Sequence, residues 1–298
     1  MKKILNTLLT GLLSGGAVSA VAFSAVFWGL QSAHASPADW QAIKRPIPSE
    51  NGESDPIGSY SNGCIIGAKA LPPKGEGYQV IRMNRNRYYG HTDMISYLQR
   101  LGKKVKNANM PTMLVGDIAM PGGGRFLTGH ASHQMGLDAD IWLRMGAMSD
   151  QDALNSDGKG LLVVNRAAQR VDETVWNQNH FNLIKLAAQD EQVARIFVNP
   201  AIKVKLCQTE RQDRSWLQKI RPWWGHDSHF HVRLTCPENA LHCEDQAPLP
   251  AGDGCGAELY SWFEPKPATG TTVKKAPPPE PFLCQQLLAS PKRSEWME

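Results

Sequence analysis

Leu137-Asp138-Ala139-Asp140-Ile141-Trp142-Leu143 is the stretch that decides the fold, because it alternates apolar and acidic side chains. Successive side chains of a β-strand point to opposite faces, so Asp138 and Asp140 would share one face. The apolar side chains beside them would pack on the other face. The stretch therefore predicts a core strand that carries two carboxylates.

Strands and helices are interspersed on both sides of this stretch. Strand composition is found at 78–83, 112–118, 195–198 and 229–234, and helical spacing of apolar residues at 92–101, 181–188 and 201–206. No regular alternation of strand and helix runs through the chain. The sequence therefore predicts an α+β fold with a small, mostly antiparallel sheet, flanking helices and long disulfide-stapled loops.

Three segments lack periodicity. Residues 36–73 are rich in Pro, Gly, Ser and Asn and predict an irregular N-terminal arm, while the polar residues 146–160 predict a loop. Residues 264–298 predict a Pro-rich C-terminal tail, extended at least as far as Pro281 and bridged back to the body through Cys284.

The first 35 residues have the composition of a secretory signal peptide. Lys2 and Lys3 precede an apolar stretch at 4–30, and a small-x-small cleavage site follows at 33–35, so cleavage before Ser36 is predicted. The apolar stretch also exceeds about 20 residues, so an uncleaved membrane anchor is the alternative. After cleavage we expect no stable membrane insertion.

The charge of the exported chain is close to balance. The formal charge is +4, and Lys2 and Lys3 contribute two of those charges, which leaves +2. Proteins that bind nucleic acid usually concentrate basic residues on one face, so we expect no nucleic-acid partner.

All six cysteines lie in the exported part, where an oxidising compartment favours three disulfides. A thiolate zinc site is the alternative, but it needs paired C-x-x-C spacings, and the chain has none. Spacing alone leaves all of the possible pairings open.

Two histidine-rich motifs, at 129–140 and 225–231, predict a metal centre. His229 and His231 lie two apart on a predicted strand, so both imidazoles face the same side. The first motif supplies a histidine from a loop and a carboxylate from the strand that follows. Two imidazoles and one carboxylate are the ligands typical of catalytic zinc, which keeps a fourth position open for water.

The chain lacks the H-E-x-x-H motif, so the glutamate that serves as general base in many zinc peptidases is missing. An unligated histidine is the natural substitute. A serine hydrolase is disfavoured because no G-x-S-x-G motif surrounds Ser132 or Ser228.

The spacing from His133 to Asp140 and the pair His229 and His231 resemble the zinc peptidases related to lysostaphin, D-alanyl-D-alanine peptidases and the hedgehog signalling domain. Four stretches narrow the resemblance to the penicillin-insensitive murein endopeptidases: Gly129-His130-Ala131-Ser132-His133, Arg195-Ile196-Phe197-Val198-Asn199-Pro200, His229-Phe230-His231-Val232-Arg233 and Gly252-Asp253-Gly254-Cys255-Gly256-Ala257-Glu258-Leu259. It extends over essentially the whole exported chain and includes all six cysteines.

This resemblance implies a role for each histidine of the two motifs. His133, Asp140 and His231 would bind one zinc ion, His229 would act as base or transition-state stabiliser, and His226 would line the same site. His130 is a candidate ligand of a second ion only. We expect ordinary surface or core roles for the other histidines, which are His34, His91, His180 and His242.

The resemblance also implies the disulfide pairs Cys64–Cys284, Cys207–Cys255 and Cys236–Cys243. It further implies that residues 36–298 form a single zinc peptidase domain. Trp142, Trp223 and Trp224 are candidates for a substrate cleft, but core packing is the favoured interpretation.

The implied reaction is hydrolysis of the D-alanyl to meso-diaminopimelyl cross-link between stem peptides of peptidoglycan in the periplasm, without inhibition by penicillin. One alternative is a zinc D,D-carboxypeptidase that removes the terminal D-alanine. The other is a non-catalytic, zinc-holding module that binds the cell wall. The sequence does not predict an oligomeric state.

Overall fold

The computed structural model describes residues 36–265 and 278–298. The strands are β1 (Asp55–Ser59), β2 (Asn62–Ile66), β3 (Lys69–Ala70), β4 (Lys74–Gly75), β5 (Tyr78–Val80), β6 (Tyr89–Gly90), β7 (Met113–Val115), β8 (Asp138–Trp142), β9 (Val164–Asn165), β10 (Arg170–Val171), β11 (Val193–Val198), β12 (Ile220–Pro222) and β13 (His229–Leu234). The helices are α1 (Pro37–Gln41), α2 (Thr92–Asn107), α3 (Asp150–Leu154), α4 (Gln178–Ala188), α5 (Pro200–Thr209), α6 (Ala257–Tyr260), α7 (Phe282–Ala289) and α8 (Arg293–Met297), with 3₁₀ turns at Met83–Arg85, Ser215–Lys219 and Ser261–Phe263.

Seven strands form the main sheet, in the order β12-β11-β13-β8-β7-β5-β4. The pairs β11–β12 and β5–β7 are parallel, and the other four neighbouring pairs are antiparallel. The predicted α+β fold with a mostly antiparallel sheet is therefore confirmed.

The two central strands are buried on both faces. On one face of β8, Ala139 and Ile141 pack into the main core beside Phe230 and Val232 of β13. The acidic face of β8 is also buried, because all five residues of this strand are shielded from solvent. Carboxylates without water require partners from the protein or a bound cation, and this requirement shapes the site described below.

Helix α2 covers one flank of the sheet through an apolar stripe. Met94, Leu98, Leu101 and Val105 are spaced for one helical face, and all four are buried in the main core. The helix begins after His91, whose ring accepts a hydrogen bond from the Asp93 amide. The helix predicted at 92–101 is confirmed and extends to Asn107.

The polar segment 146–160 contains a helix that the sequence analysis did not predict. Ser149 caps α3 by accepting a hydrogen bond from the amide of Asp152. Asp150 and Asp152 also place negative charge in the first turn, which favours a helix N-terminus. The loop prediction was therefore wrong at 150–154, because a short polar helix lacks apolar periodicity.

The N-terminal arm is more regular than predicted, since it contains α1 and the antiparallel hairpin β1–β2. Trp40, Ile43 and Ile57 from this segment pack against Trp296 from α8 in a second core. Partners from the far end of the chain thus order a segment whose own composition predicted irregular structure. The C-terminal tail likewise contains α7 and α8, whereas the predicted extended segment at 266–277 lies outside the described residues.

Three disulfides join distant or irregular segments. Cys64 of β2 bonds Cys284 of α7, and the other pairs are Cys207–Cys255 and Cys236–Cys243. The pairing implied by the family resemblance is confirmed. Cys64 and Cys284 are fully buried in the second core, so this bridge fastens the C-terminal helices to the N-terminal hairpin.

Within 36–265 and 278–298, no helix is both long enough and apolar enough to cross a bilayer. The predicted signal peptide at 1–35 lies outside these ranges.

Removal of the Cys64–Cys284 bridge should destabilise the protein more than removal of the Cys236–Cys243 bridge. The bridges span 220 and 7 residues respectively, and the entropy that a cross-link removes from the unfolded chain grows with loop length. We expect losses of about 4–5 and about 2–3 kcal/mol for the paired Cys→Ala variants in denaturant unfolding without reductant. Equal losses would contradict this account.

Candidate metal centre

The pairing of β8 with β13 brings the two sequence motifs together. In the antiparallel register His231 lies opposite Asp140, and Arg233 lies opposite Asp138. Alternation along both strands places these four side chains on one face of the sheet. A one-residue shift in register would place the side chains of His231 and Arg233 on the opposite face from the two carboxylates of β8.

A tight loop between Gly129 and Gly136 carries His130 and His133 to the same face. The Gln134 side chain donates hydrogen bonds to the carbonyl oxygens of Ala131 and Ser61, which hold the loop closed. The backbone of His133 has a φ of +69°, in the left-handed region that residues other than glycine seldom adopt. Its amide donates to Asp138 Oδ2 at 3.0 Å, which anchors this conformation.

Hydrogen bonds on the outer ring nitrogens determine the tautomers of His133 and His231. His133 Nδ1 lies 2.7 Å from the Ile118 carbonyl oxygen, which only accepts, so Nδ1 carries the hydrogen. His231 Nε2 lies 2.9 Å from Asp138 Oδ1, an ionised acceptor, so Nε2 carries the hydrogen there. The lone pairs of His133 Nε2 and His231 Nδ1 are therefore both free.

These two free nitrogens converge on Asp140. His133 Nε2 and His231 Nδ1 each lie 3.4 Å from Asp140 Oδ1. His130 Nε2 lies 3.0 Å from the other carboxylate oxygen, Oδ2. One potential ligand atom from each of the four residues lies within 4.8 Å of the other three. The structure thus places His130 beside the other three residues, and its role as a candidate ligand of a second ion stays a hypothesis.

Asp138 orients His133 and His231 through hydrogen bonds, although it is not a proposed metal ligand. Besides His231, it accepts hydrogen bonds from Arg233 Nε at 2.7 Å and from a terminal nitrogen of Arg233 at 3.1 Å. Burial by itself would raise the pKa of Asp138, but Arg233 and His231 hold it well below its usual value. The carboxylate therefore stays ionised and keeps the hydrogen on the outer nitrogen of His231.

Burial and the two carboxylates shift the pKa values at the site in different directions. Burial lowers the pKa of His133, which favours the neutral imidazole that binds metals. Burial opposes ionisation of Asp140, but His130, His229 and His133 together lower its pKa well below the usual value. The Asp140 carboxylate in turn raises the pKa of His130. Burial by itself would lower the pKa of His231, but Asp138 and Asp140 together raise it.

Three buried polar atoms at this point have no hydrogen-bond partner among the described residues: His133 Nε2, Asp140 Oδ1 and His229 Nε2. An unsatisfied buried polar atom costs about 1–3 kcal/mol. His133 Nε2 and Asp140 Oδ1 lie 3.4 Å apart and fit a bound cation, which would satisfy both, whereas His229 Nε2 lies beside them, 3.8 Å from Asp140 Oδ1. The donors, imidazole nitrogen and carboxylate oxygen, also suit a divalent metal such as zinc.

His226 and His229 border the same centre. The His229 ring lies 5.0 Å from that of His226, and its Nε2 lies 3.8 Å from Asp140 Oδ1. Burial lowers the pKa of His229, and burial together with the neighbouring imidazoles lowers that of His226 to about 3. Both rings are therefore neutral at pH 7. His226 Nδ1 donates to the Trp224 carbonyl oxygen at 3.0 Å, which leaves Nε2 as an acceptor.

The sequence analysis missed Arg233 and the Ile118 carbonyl. Arg233 could have been predicted, because it lies two positions after His231 and therefore on the same face of the strand. The carbonyl could not, since a backbone atom leaves no trace in residue identity. Core packing is confirmed for Trp142, which is buried, and wrong for Trp223 and Trp224, which are 56% and 47% exposed.

The remaining described histidines have local structural roles. His91 and His180 help to cap α2 and α4. His242 lies 3.0 Å from Asp55 in a groove of about 1310 Å³ that includes none of the metal-centre residues. His34 lies outside the described residues.

A sequence model of the family described as penicillin-insensitive murein endopeptidase matches residues 56–289. The chain belongs to this family. A penicillin-insensitive murein endopeptidase of Haemophilus influenzae is 78% identical over 265 residues, which cover 89% of this chain and 93% of the relative. One from Escherichia coli K12 is 51% identical over 271 residues, or 91% of this chain and 97% of the relative. The resemblance to the penicillin-insensitive murein endopeptidases is therefore confirmed.

Asp138→Asn should weaken metal binding although Asp138 is not a proposed ligand. The amide keeps the shape of the side chain but no longer holds the His231 tautomer and the Arg233 guanidinium with a full charge. We expect the affinity for added zinc to fall about 10–100-fold in a competitive chelator titration.

Glu210→Gln is the matched control for this change. Glu210 is a buried carboxylate that accepts hydrogen bonds from Lys185 and Trp216, and it is not part of the centre. Both variants should lose stability, but only Asp138→Asn should lose zinc affinity. Unchanged zinc affinity in Asp138→Asn would remove Asp138 from the account of the site.

Proposed function

We propose that this chain is a zinc-dependent murein endopeptidase that hydrolyses the D-alanyl to meso-diaminopimelyl cross-link of peptidoglycan in the periplasm. The observation that carries the proposal is the convergence of His133 Nε2 and His231 Nδ1 on Asp140 Oδ1, each at 3.4 Å. Of these atoms, His133 Nε2 and Asp140 Oδ1 are buried without a hydrogen-bond partner among the described residues. Family membership gives the substrate class, since the named relatives are murein endopeptidases.

His133, Asp140 and His231 would hold one zinc ion. Bound there, the ion would supply Lewis acidity that polarises the scissile carbonyl and makes water a better nucleophile at neutral pH. His130 has a 22% exposed side chain, whereas those of His133 and His231 are 0% and 4% exposed. We assign His130 a place beside the ion, because a fourth protein ligand would close the position that catalysis requires.

His229 is the proposed general base. Its Nε2 faces Asp140 without a hydrogen-bond partner in the described chain, and its lowered pKa keeps the ring neutral and able to accept a proton. His229 Nε2 takes a proton from the attacking water and returns it to the leaving amine of the diaminopimelyl residue. His226 lines the same site and offers its free Nε2 as an acceptor to the substrate.

Insensitivity to penicillin follows from this chemistry. Penicillins acylate a serine nucleophile, whereas here water attacks directly and no acyl-enzyme forms.

We also propose that the signal peptide predicted at 1–35 directs export and that residues 36–298 form one zinc peptidase domain. Residues 56–289, matched by the family, lie within that range.

Removal of metal should abolish hydrolysis of purified cross-linked dimer muropeptides. We expect a chelator to eliminate activity and zinc to restore it, while penicillin leaves it unchanged. The products also distinguish the alternatives: an endopeptidase releases two monomers, a carboxypeptidase releases alanine, and a wall-binding module releases neither. Full activity after verified removal of metal would refute the proposal.

His229→Ala and His231→Ala should separate turnover from metal binding. His229→Ala should retain zinc but lose about 10²–10⁴-fold in kcat, because only proton transfer is removed. His231→Ala should lose the metal and, with it, activity. Metal analysis and kinetics on dimer muropeptides measure the two effects.

His242→Ala is the control for these variants, since His242 pairs with Asp55 away from the centre and should keep both properties. A fully active His229→Ala variant would exclude His229 from catalysis.

A further inference from the structure

A pocket of about 330 Å³ is lined by residues that flank His226 in the chain. Gly225 and Asp227 form part of its wall, and they are the two chain neighbours of His226. The ring of His226 lies 5.0 Å from that of His229 and 6.0 Å from that of His231. The segment 225–227 therefore contributes both to this pocket and, through His226, to the border of the metal centre.

Arg166 contributes a guanidinium to the pocket and is held at one edge. Its Nε donates to Asp227 Oδ2 at 2.5 Å. The Asp227 side chain is 6% exposed, whereas that of Arg166 is 70% exposed. Within the described chain the two terminal nitrogens of Arg166 donate no hydrogen bond. The open edge of the guanidinium thus faces solvent while the other edge is anchored.

The backbone segment that precedes Arg166 is also bound to Asp227. Arg166 begins the turn that connects β9 to β10. Just before β9, the Val163 amide donates to the Asp227 carbonyl oxygen at 2.9 Å. The segment that carries the guanidinium is therefore tied to the same residue as the guanidinium itself. Such pre-organisation lowers the entropy that binding would otherwise cost.

Aromatic rings also line the pocket. Trp224 and Phe263 line it, and the ring of Trp262 lies 5.6 Å from that of Trp224. Trp224 is 47% exposed, although it is a large apolar residue beside a buried centre. The pocket thus combines an apolar wall with one open cation, which suits an aliphatic chain that carries a carboxylate.

We infer that Arg166 is a specificity-determining residue that binds a free carboxylate of the murein stem peptide, an inference that rests on the proposed function. In the cross-link, the carbon that bears the scissile amide nitrogen also carries a free carboxylate of diaminopimelate. The stem peptide ends in another carboxylate. The two terminal nitrogens of Arg166 match the two oxygens of either group in a bidentate pair.

Another arginine cluster is a weaker candidate for this role. Arg82, Arg85 and Arg87 all approach Asp117, and Arg82 and Arg85 also approach Asp157. Arg82 additionally packs on the Trp142 ring and Arg87 on the Phe126 ring. These guanidiniums are already engaged with carboxylates and aromatic faces of the protein. Arg166 differs because it has one anchor and one open edge.

Arg166→Gln with three dimer muropeptides tests the inference. The substrates are the unmodified dimer, the dimer amidated at the diaminopimelyl carboxyl and the dimer amidated at the C-terminal carboxyl of the stem. For the unmodified dimer, the variant should raise KM about tenfold or more with kcat little changed, because a charge-assisted pair outside the reacting centre is lost. Amidation of the bound carboxylate should raise the wild-type KM similarly. The KM of the Arg166→Gln variant should not change with that amidation. The amidation that raises the wild-type KM but not the KM of the variant identifies the carboxylate that Arg166 binds.

Arg100→Gln is the matched control, since Arg100 of α2 pairs with Asp190 and does not line the pocket. Its kinetics should resemble those of the wild type. The inference is overturned if Arg166→Gln discriminates among the dimers as the wild type does. It is also overturned if the wild type hydrolyses all three dimers with equal KM. This measurement needs only the wild type, so it remains decisive even if the variant fails to fold. Failure of the wild type to cleave the unmodified dimer would instead refute the proposed function.

Discussion

The buried carboxylate of Asp138 is the constraint on which the rest of the site depends. It holds His231 through Nε2, both nitrogens on one edge of Arg233, and the backbone amide of His133. A carboxylate without water at the centre of a sheet is stable only when its oxygens are satisfied in this way. Because its partners come from β13 and from the loop before β8, Asp138 also sets the relative positions of both histidine motifs.

Placement of the centre on the middle strands makes it rigid but difficult to build. Two carboxylates and one imidazole of the central strands are buried together with the imidazole of His133 from the loop before β8, and each unpaired polar atom there is costly. His133 and His226 also adopt positive φ values of +69° and +42°. Unusual backbone conformations of this kind persist when surrounding contacts fix them, and they cluster at functional sites. The buried polar groups and the unusual backbone conformations therefore lower the stability of the fold, but they direct the lone pairs of the ligand atoms to one point.

A second core supports this arrangement from the periphery. Trp40 and Ile43 near the N-terminal end of the described chain pack with Trp296 near its C-terminus, and the Cys64–Cys284 bridge lies in the same cluster. Phe126 belongs to this cluster, and its ring stacks on that of His133 at 5.7 Å between centroids. The terminal segments therefore contribute to the metal centre by packing, although they supply no side chain to it.

The sequence by itself determined the α+β class, the strands that carry Asp140 and His231, and the donor types of a metal centre. These features are encoded in local periodicity and in residue chemistry, which act over a few neighbouring positions. Only the tertiary structure decided that His130 joins the same cluster, that Trp223 and Trp224 are exposed, and that Arg166 meets Asp227. Each of these depends on contacts between residues far apart in the chain or on the path of a loop, and local periodicity carries no information about either.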